Sequence, residues 1–256
     1  MTLEACTETL RQHDPDRFGA VLVAEAADRP ALVTLYALNL EIARAPFQSA
    51  EPMLAEMRLQ WWIDRLDQMG QGTAPPLHDV LTPLWEAWGP EAGALSALGE
   101  ARRRDCERQP FDGPQAVVAY VDATAGALIW AAARRCGAPE GARETVAHQA
   151  RGAGLAGWLR ALPQLQAVRL GLEPARPEDA QALAERARDG LRMAARMHRK
   201  LPRRAAAALY PGPRVPRLLS EIMAGRTDPF EATAGITPFQ RRASLARLAL
   251  TGHWWR

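Results

Sequence analysis

The chain has 256 residues, 48% of them apolar and 24% charged, with a formal net charge of +3. That length and balance allow a sizeable core and exclude extended disorder. The mild positive charge gives no argument for nucleic acid, and Cys6, Cys106 and Cys136 are too few and too widely spaced for a zinc ribbon or a disulfide scaffold.

Strand signals are almost absent: no stretch alternates apolar and polar residues for long. Ala, Leu, Arg and Glu dominate, and all favour helix. The expected fold is therefore all-α, a bundle of about ten helices in one domain over residues 1–256, with 1–13 and 252–256 as flexible ends. In chain order, a helix is expected over 17–27. Asp28 then caps one with Pro30 in its first turn, running to Ala45 and stopped by Pro46. Glu51-Pro52 opens the next, which ends at Gly70. Further helices are expected over 77–88, 91–108 and from Pro114 to before Gly137. A long pattern over 142–170 is interrupted by Pro163. Helices over 178–200, 202–209, 216–224 and 238–251 complete the bundle, with 226–237 as the flexible stretch. No segment reads as the roughly 18 apolar residues that cross a membrane. The acidic N-terminus has no signal-peptide pattern, so the expected location is the cytoplasm, in contact with the inner face of a membrane at most.

The helix from Glu51 carries two stripes. Arg58, Trp62 and Arg65 fall on one, and Glu56, Gln60 and Asp64 on another. The ordinary reading is a core helix with a solvated charged face; the sharper one is a polar stripe facing an internal cavity.

Tyr36-Ala37-Leu38-Asn39-Leu40-Glu41-Ile42-Ala43-Arg44, then Ser49 to Met53 and Met57-Arg58-Leu59-Gln60-Trp61-Trp62, resemble the squalene/phytoene synthase family. Tyr120 with Thr124-Ala125-Gly126 resembles that family's Tyr-bearing helix. Residues 152–162 resemble its second active-site helix, and Thr227-Asp228-Pro229-Phe230 also fits. The resemblance covers roughly residues 14–230. It implies an isoprenoid-synthase-like helical bundle around a central cavity. Tyr36, Asn39, Glu41, Arg44, Arg58, Trp62, Tyr120 and Arg160 are the implied cavity or ligand residues. Active members join two prenyl diphosphates head to head, using Mg²⁺ held by two Asp-rich motifs.

Placed on this chain, the first motif falls on Ala43, Arg44 and Phe47, and the second, registered on Arg160, falls on Ala161 and Leu165. None is acidic. Glu41 lies about 200° around the helix from Ala43 and pairs better with Arg44. The expectation is therefore a protein without catalytic residues, metal or cofactor. Its departures resemble a divergent branch of the family that includes an assembly factor for respiratory complex I. That branch implies a protein partner such as a respiratory-complex subunit, and an isoprenoid or lipid ligand. The alternative is a divergent prenyltransferase that uses Mg²⁺.

Other motifs carry less. The five histidines are scattered, which argues against a metal site. Gly152-Ala153-Gly154-Leu155-Ala156-Gly157 lacks the strand a dinucleotide fingerprint needs, and close helix contact accounts for it better. Arg102-Arg103-Arg104 with Asp105 is a solvated face or, at a cavity mouth, a contact for an anionic head group. The C-terminal segment combines Arg241, Arg242, Arg247 and Arg256 with Trp254 and Trp255, a pattern shared by a last packed helix and a peripheral membrane contact.

Overall fold

Prolines and caps set the helix starts. Pro15, Pro30, Pro52, Pro114, Pro177, Pro216 and Pro238 each occupy a first turn, where a missing N–H removes no bond. Asp14 caps its helix through the Arg17 N–H at 3.0 Å. Thr237 and Gln240 form a reciprocal capping box. The computed structural model describes residues 3–231 and 235–255. Among them no strand occurs, and Phe111 and Leu172 meet in an isolated parallel bridge.

The helices are α1 (Leu3–His13), α2 (Pro15–Val23), α3 (Arg29–Arg44), α4 (Pro52–Gly70), α5 (Leu81–Trp88), α6 (Ser96–Glu100), α7 (Arg103–Glu107), α8 (Pro114–Val121), α9 (Ala127–Arg135), α10 (Arg143–Ala167), α11 (Pro177–Arg196), α12 (Val215–Met223) and α13 (Pro238–Thr251). They gather into two compact units, Met1–Glu107 and Arg108–Arg256.

In the first unit α3 is the central helix. Leu32, Leu35, Leu38 and Ile42 are fully buried, with Tyr36 and Asn39 among them. Helices α1, α2 and α5 pack on it, and the Trp88 indole N–H donates to the Ala31 carbonyl at 3.1 Å. Helix α4 buries Ala55, Leu59, Trp62, Ile63, Leu66 and Met69, a helical stripe facing inward.

In the second unit α10 is central. Its Leu155, Ala156, Trp158, Leu159 and Leu162 meet Leu183, Ala184 and Ala187 of α11 and Val215, Leu219 and Ile222 of α12. The α10–α11 crossing is close because it is built from small residues. A Cβ on Gly152 would lie 2.7 Å from the Ala187 carbonyl oxygen, and one on Gly190 would lie 2.8 Å from the His148 carbonyl oxygen. The small-residue reading of 152–157 therefore holds for Gly152 and Gly154, but nothing lies within 4 Å of a Cβ on Gly157.

Several expectations are corrected. The N-terminal stretch is helix α1, with Cys6 and Leu10 buried, and Trp254 at the other end is 3% exposed. Buried apolar anchors four residues apart tie α1 down. Asp28 makes no side-chain cap bond to α3, because its backbone is already helical. The helix expected over 91–108 is broken into a 3₁₀ stretch and short helices, since Gly89, Pro90 and Gly93 weaken helix there. The helix expected over 202–209 is only a short 3₁₀ turn at Arg203–Ala206. Pro163 lies inside α10, which continues to Ala167; burial of Leu159 and Leu162 before it and packing of Leu165 after it outweigh the lost hydrogen bond.

Residues Pro114–Arg135 form a continuous helical run through a π-turn at Asp122–Gly126, long and apolar enough by length and composition to cross a membrane. Tyr120, Asp122 and Thr124 interrupt its apolar pattern, so the run is easily passed over in the sequence. Its Val117, Val121, Leu128, Ala132 and Ala133 are buried in the chain's own core. Of the stretch expected to be flexible, 232–234 lie outside the described residues.

Candidate functional site

The first group of sequence-derived site residues stands at the end of α3 and on α4. Tyr36 and Asn39 are buried, and the Arg17 guanidinium lies over the Tyr36 ring, 5.4 Å from its centroid. Glu41 faces Arg44 across 3.8 Å, the i,i+3 pair that the spacing predicts. Ala43 is half-buried and Phe47 is exposed. Arg58 donates to Gln48 Oε1 at 2.8 Å. Trp62 is buried in an aromatic cluster with Trp61 and His78, its ring 5.2 Å from the imidazole. The polar stripe of α4 is also engaged. Gln60 donates to Asp64 at 2.6 Å, and Arg103 reaches Glu100, Glu56 and Gln60. Arg102 pairs with buried Asp105 at 3.6 Å. Two members of the basic run are thus held by acids of the chain.

The second group stands on α8 to α10. Tyr120 packs edge-on against Phe111 at 5.4 Å. Arg160 donates to the Pro213 carbonyl at 3.0 Å. Ala161 is half-buried, and Leu165 packs against the α10–α12 core.

The sequence reading missed Asp122 and Arg151. Asp122 opens the π-turn two residues after Tyr120, and π-turns often mark functional helices. Arg151 grips it in a forked pair, with Nη2 to Oδ2 at 2.6 Å and Nε to Oδ1 at 2.9 Å. That hydrogen bonding to the carboxylate raises the Arg151 pKa. No one-helix pattern announces a pair 29 residues apart.

Two of the three thiols are muted. Cys6 and Cys106 are pushed up to about 11, chiefly by burial and then by neighbouring carboxylates. A thiol so shifted is protonated near neutrality. Among the described residues, no three or more His, Cys, Asp or Glu side chains come together in a way that could hold a metal ion. In the register read from the sequence, the motif positions supply methyl, isobutyl, phenyl and guanidinium groups. A hard cation needs oxygen donors, so these residues do not fit Mg²⁺.

The apolar surface of α4 is a second feature. Met53, Met57 and Trp61, spaced four apart, are 74%, 63% and 37% exposed, one stripe along the helix. At the other end of the chain, α13 is docked. Leu248 and Trp254 are buried, Arg203 donates to the Leu250 carbonyl at 3.1 Å, and Trp255 stacks on His198 at 4.2 Å. Both terminal indoles are packed against the chain, while Phe239 and Leu250 stay exposed.

Comparison with known proteins bears on both groups. Residues 10–171 match the family described as squalene/phytoene synthase. A dehydrosqualene synthase crystal structure superposes with a TM-score of 0.75 over 96% of this chain and 94% of that one, at 11% identity. A squalene synthase, HpnC from Alicyclobacillus acidocaldarius, gives 0.62 over 98% and 94%, at 16% identity. The all-α fold is therefore that of the isoprenoid synthases. In sequence, the chain is 24% identical over 168 residues to complex I assembly factor 6 of Bos taurus and of Mus musculus. That match covers 62% of this chain and 48% of each relative, so it spans about half their length.

Proposed function

We propose that this chain, which belongs to the squalene/phytoene synthase family, has lost both Asp-rich motifs and acts without catalysis as an assembly or interaction factor in respiratory-complex biogenesis. The observation that carries this reading is the donor set. The described residues gather no group of acids, histidines or cysteines able to hold a metal, and Asp122 is already bound by Arg151. Head-to-head condensation depends on stabilising a departing diphosphate, and electrostatic stabilisation of that kind is usually the largest catalytic contribution. Ala43, Phe47, Ala161 and Leu165 supply none.

The similarity to complex I assembly factor 6 supports a protein partner, a subunit of a respiratory complex. The exposed Met53–Met57–Trp61 stripe supports a surface for it, since Met-rich faces adapt readily to partners. Cytoplasmic location, with contact at the inner membrane face, belongs to the same reading. Phe239 and Leu250 beside Arg241, Arg242 and Arg247 support that contact, and an isoprenoid or lipid ligand accompanies it.

Calorimetry with farnesyl and geranylgeranyl diphosphate, with and without Mg²⁺, tests the reading. Expected is no Mg²⁺-dependent binding and no Mg²⁺-dependent product. Tight binding that requires Mg²⁺ would overturn it. The second reading, a divergent prenyltransferase using Mg²⁺, would then stand, on the retention of Arg58, Tyr120 and Arg160.

A further inference from the structure

The second unit holds a cleft of about 340 Å³ between α11, α12 and the C-terminal Trp255. Its volume lies in the range of small-ligand sites, about 300–1,000 Å³. The floor and far wall are apolar: Leu191, Ala195, Pro216, Leu219, Met223 and the face of Trp255. The near wall carries Arg188 and Arg192, one helical turn apart, with Ser220 opposite on α12. No lining residue is acidic.

The charge on this wall is only partly neutralised within the chain. Arg188 Nε is buried and makes no hydrogen bond; it has a long ion pair with Asp189 at 3.7 Å, whose carboxylate is 65% exposed. Arg192 makes no ion pair among the described residues. Glu221, the acid on α12, is held by Arg217 at 2.6 Å. A buried guanidinium N–H without an acceptor is costly, and an anionic oxygen at the cleft would satisfy it. Trp255 is fixed as a flat wall by stacking on His198. A guanidinium pair beside an apolar trough therefore matches one ligand chemistry.

We propose that this cleft binds an anionic amphiphile, a phosphate or carboxylate head held by Arg188, Arg192 and Ser220 with an apolar chain laid along Leu191, Leu219, Met223 and Trp255. The head group comes from a free acid or phosphate, or from a phospholipid in a membrane. The site uses guanidinium groups and no metal, so it stands or falls separately from the Mg²⁺ test above.

The test is calorimetric titration of the full chain with dodecyl phosphate, laurate and dodecanol, without divalent cations. Both anions are expected to bind at least tenfold more tightly than the alcohol, and inorganic phosphate alone to give no heat up to millimolar concentration. Arg188→Met with Arg192→Met, which keeps the apolar stems, should lower anion affinity at least tenfold. Ser220→Trp, a bulky residue at an exposed wall position, should abolish binding of all three, with the circular dichroism spectrum unchanged. Flotation with phosphatidylglycerol vesicles that is lost in the Arg double variant assigns the head group to a membrane. Binding of free amphiphile without flotation assigns it to a soluble ligand, and either result supports the site. Equal affinity for dodecanol and the anions, or affinity unmoved in both variants, overturns it.

Discussion

The end of α3 with the 3₁₀ turn that follows it, and the C-terminal end of α10, hold the positions at which the family resemblance places carboxylates, and the two regions fill them in opposite ways. On α3, Ala43 is half-buried and Arg44 turns to Glu41, and Phe47 stands 41% exposed on the 3₁₀ turn Ala45–Phe47 that follows. On α10, Leu165 joins an apolar core, Ala161 is half-buried, and Pro163 lies between them. The first helix has a surface solution and the second a packing solution. An acid could return to α3 with little strain, whereas on α10 it would have to displace hydrophobic contacts. Introducing acids at the two places is therefore expected to be asymmetric in energy.

The largest expected effect tests how tightly α10 is held. Gly190→Val places a branched side chain against the His148 carbonyl and the backbone of Gly152. Backbone cannot yield as a side-chain tip can, so a loss of about 2–3 kcal/mol is expected, or roughly 5–10 °C in Tm for a chain of this size. A thermal melt checks it. A Tm within a degree of the parent would mean that α10 and α11 can separate, and the packing account of α10 would fail.

Leu165→Asp comes next. It removes an apolar contact with the core and leaves a carboxylate against it. The expected cost is about 2 kcal/mol, read from the shift in the urea midpoint. A neutral result would show that Leu165 faces water, and the contrast between the two helices would disappear.

These positions also mark what could be read without a structure. The starts of α3, α4, α8, α11, α12 and α13 were legible because Pro and capping residues punctuate the chain, and their chemistry acts within one turn. The Glu41–Arg44 pair was legible for the same reason. Helix α1 was not: Cys6 and Leu10 are its only buried residues, too few to make a periodic signal. The unbroken course of α10 through Pro163 was not, because that outcome depends on partners on α11 and α12. Nor was the Asp122–Arg151 bridge or the Arg188–Arg192 cleft wall, since tertiary contact alone gives those residues their setting. Tyr36, Arg58, Tyr120 and Arg160 lie on α3, α4, α8 and α10, within helices outlined by the sequence pattern, but nothing in that pattern said that Arg160 binds the Pro213 carbonyl.

Asp122→Asn tests the bridge that stands nearest the Tyr120 helix. The pair is about a third exposed on both sides, so solvent screens it, and the expected loss is about 0.5–1 kcal/mol rather than the value of a buried pair. The measurement is a double-mutant cycle with Arg151→Ala. A coupling near zero would mean the fork is a surface ornament and that Asp122 is available to other ligands.

The smallest effect is expected at α3 and is the most informative for function. Ala43→Asp with Phe47→Asp introduces two carboxylates four residues apart, one in the last turn of α3 and one on the 3₁₀ turn that follows. Phe47 is 41% exposed, and Arg44 lies beside both positions. The stability change should be within about 0.5 kcal/mol of the parent, the usual range for surface substitutions. Restored acids on one helix still give Mg²⁺ only half a site, because Ala161 and Leu165 remain. The double variant should therefore show no Mg²⁺-dependent heat with farnesyl diphosphate. If Mg²⁺-dependent binding appeared in this variant alone, the end of α3 would be the single element separating this chain from the Mg²⁺ chemistry that the family resemblance implies, and the packing of α10 would not be the barrier.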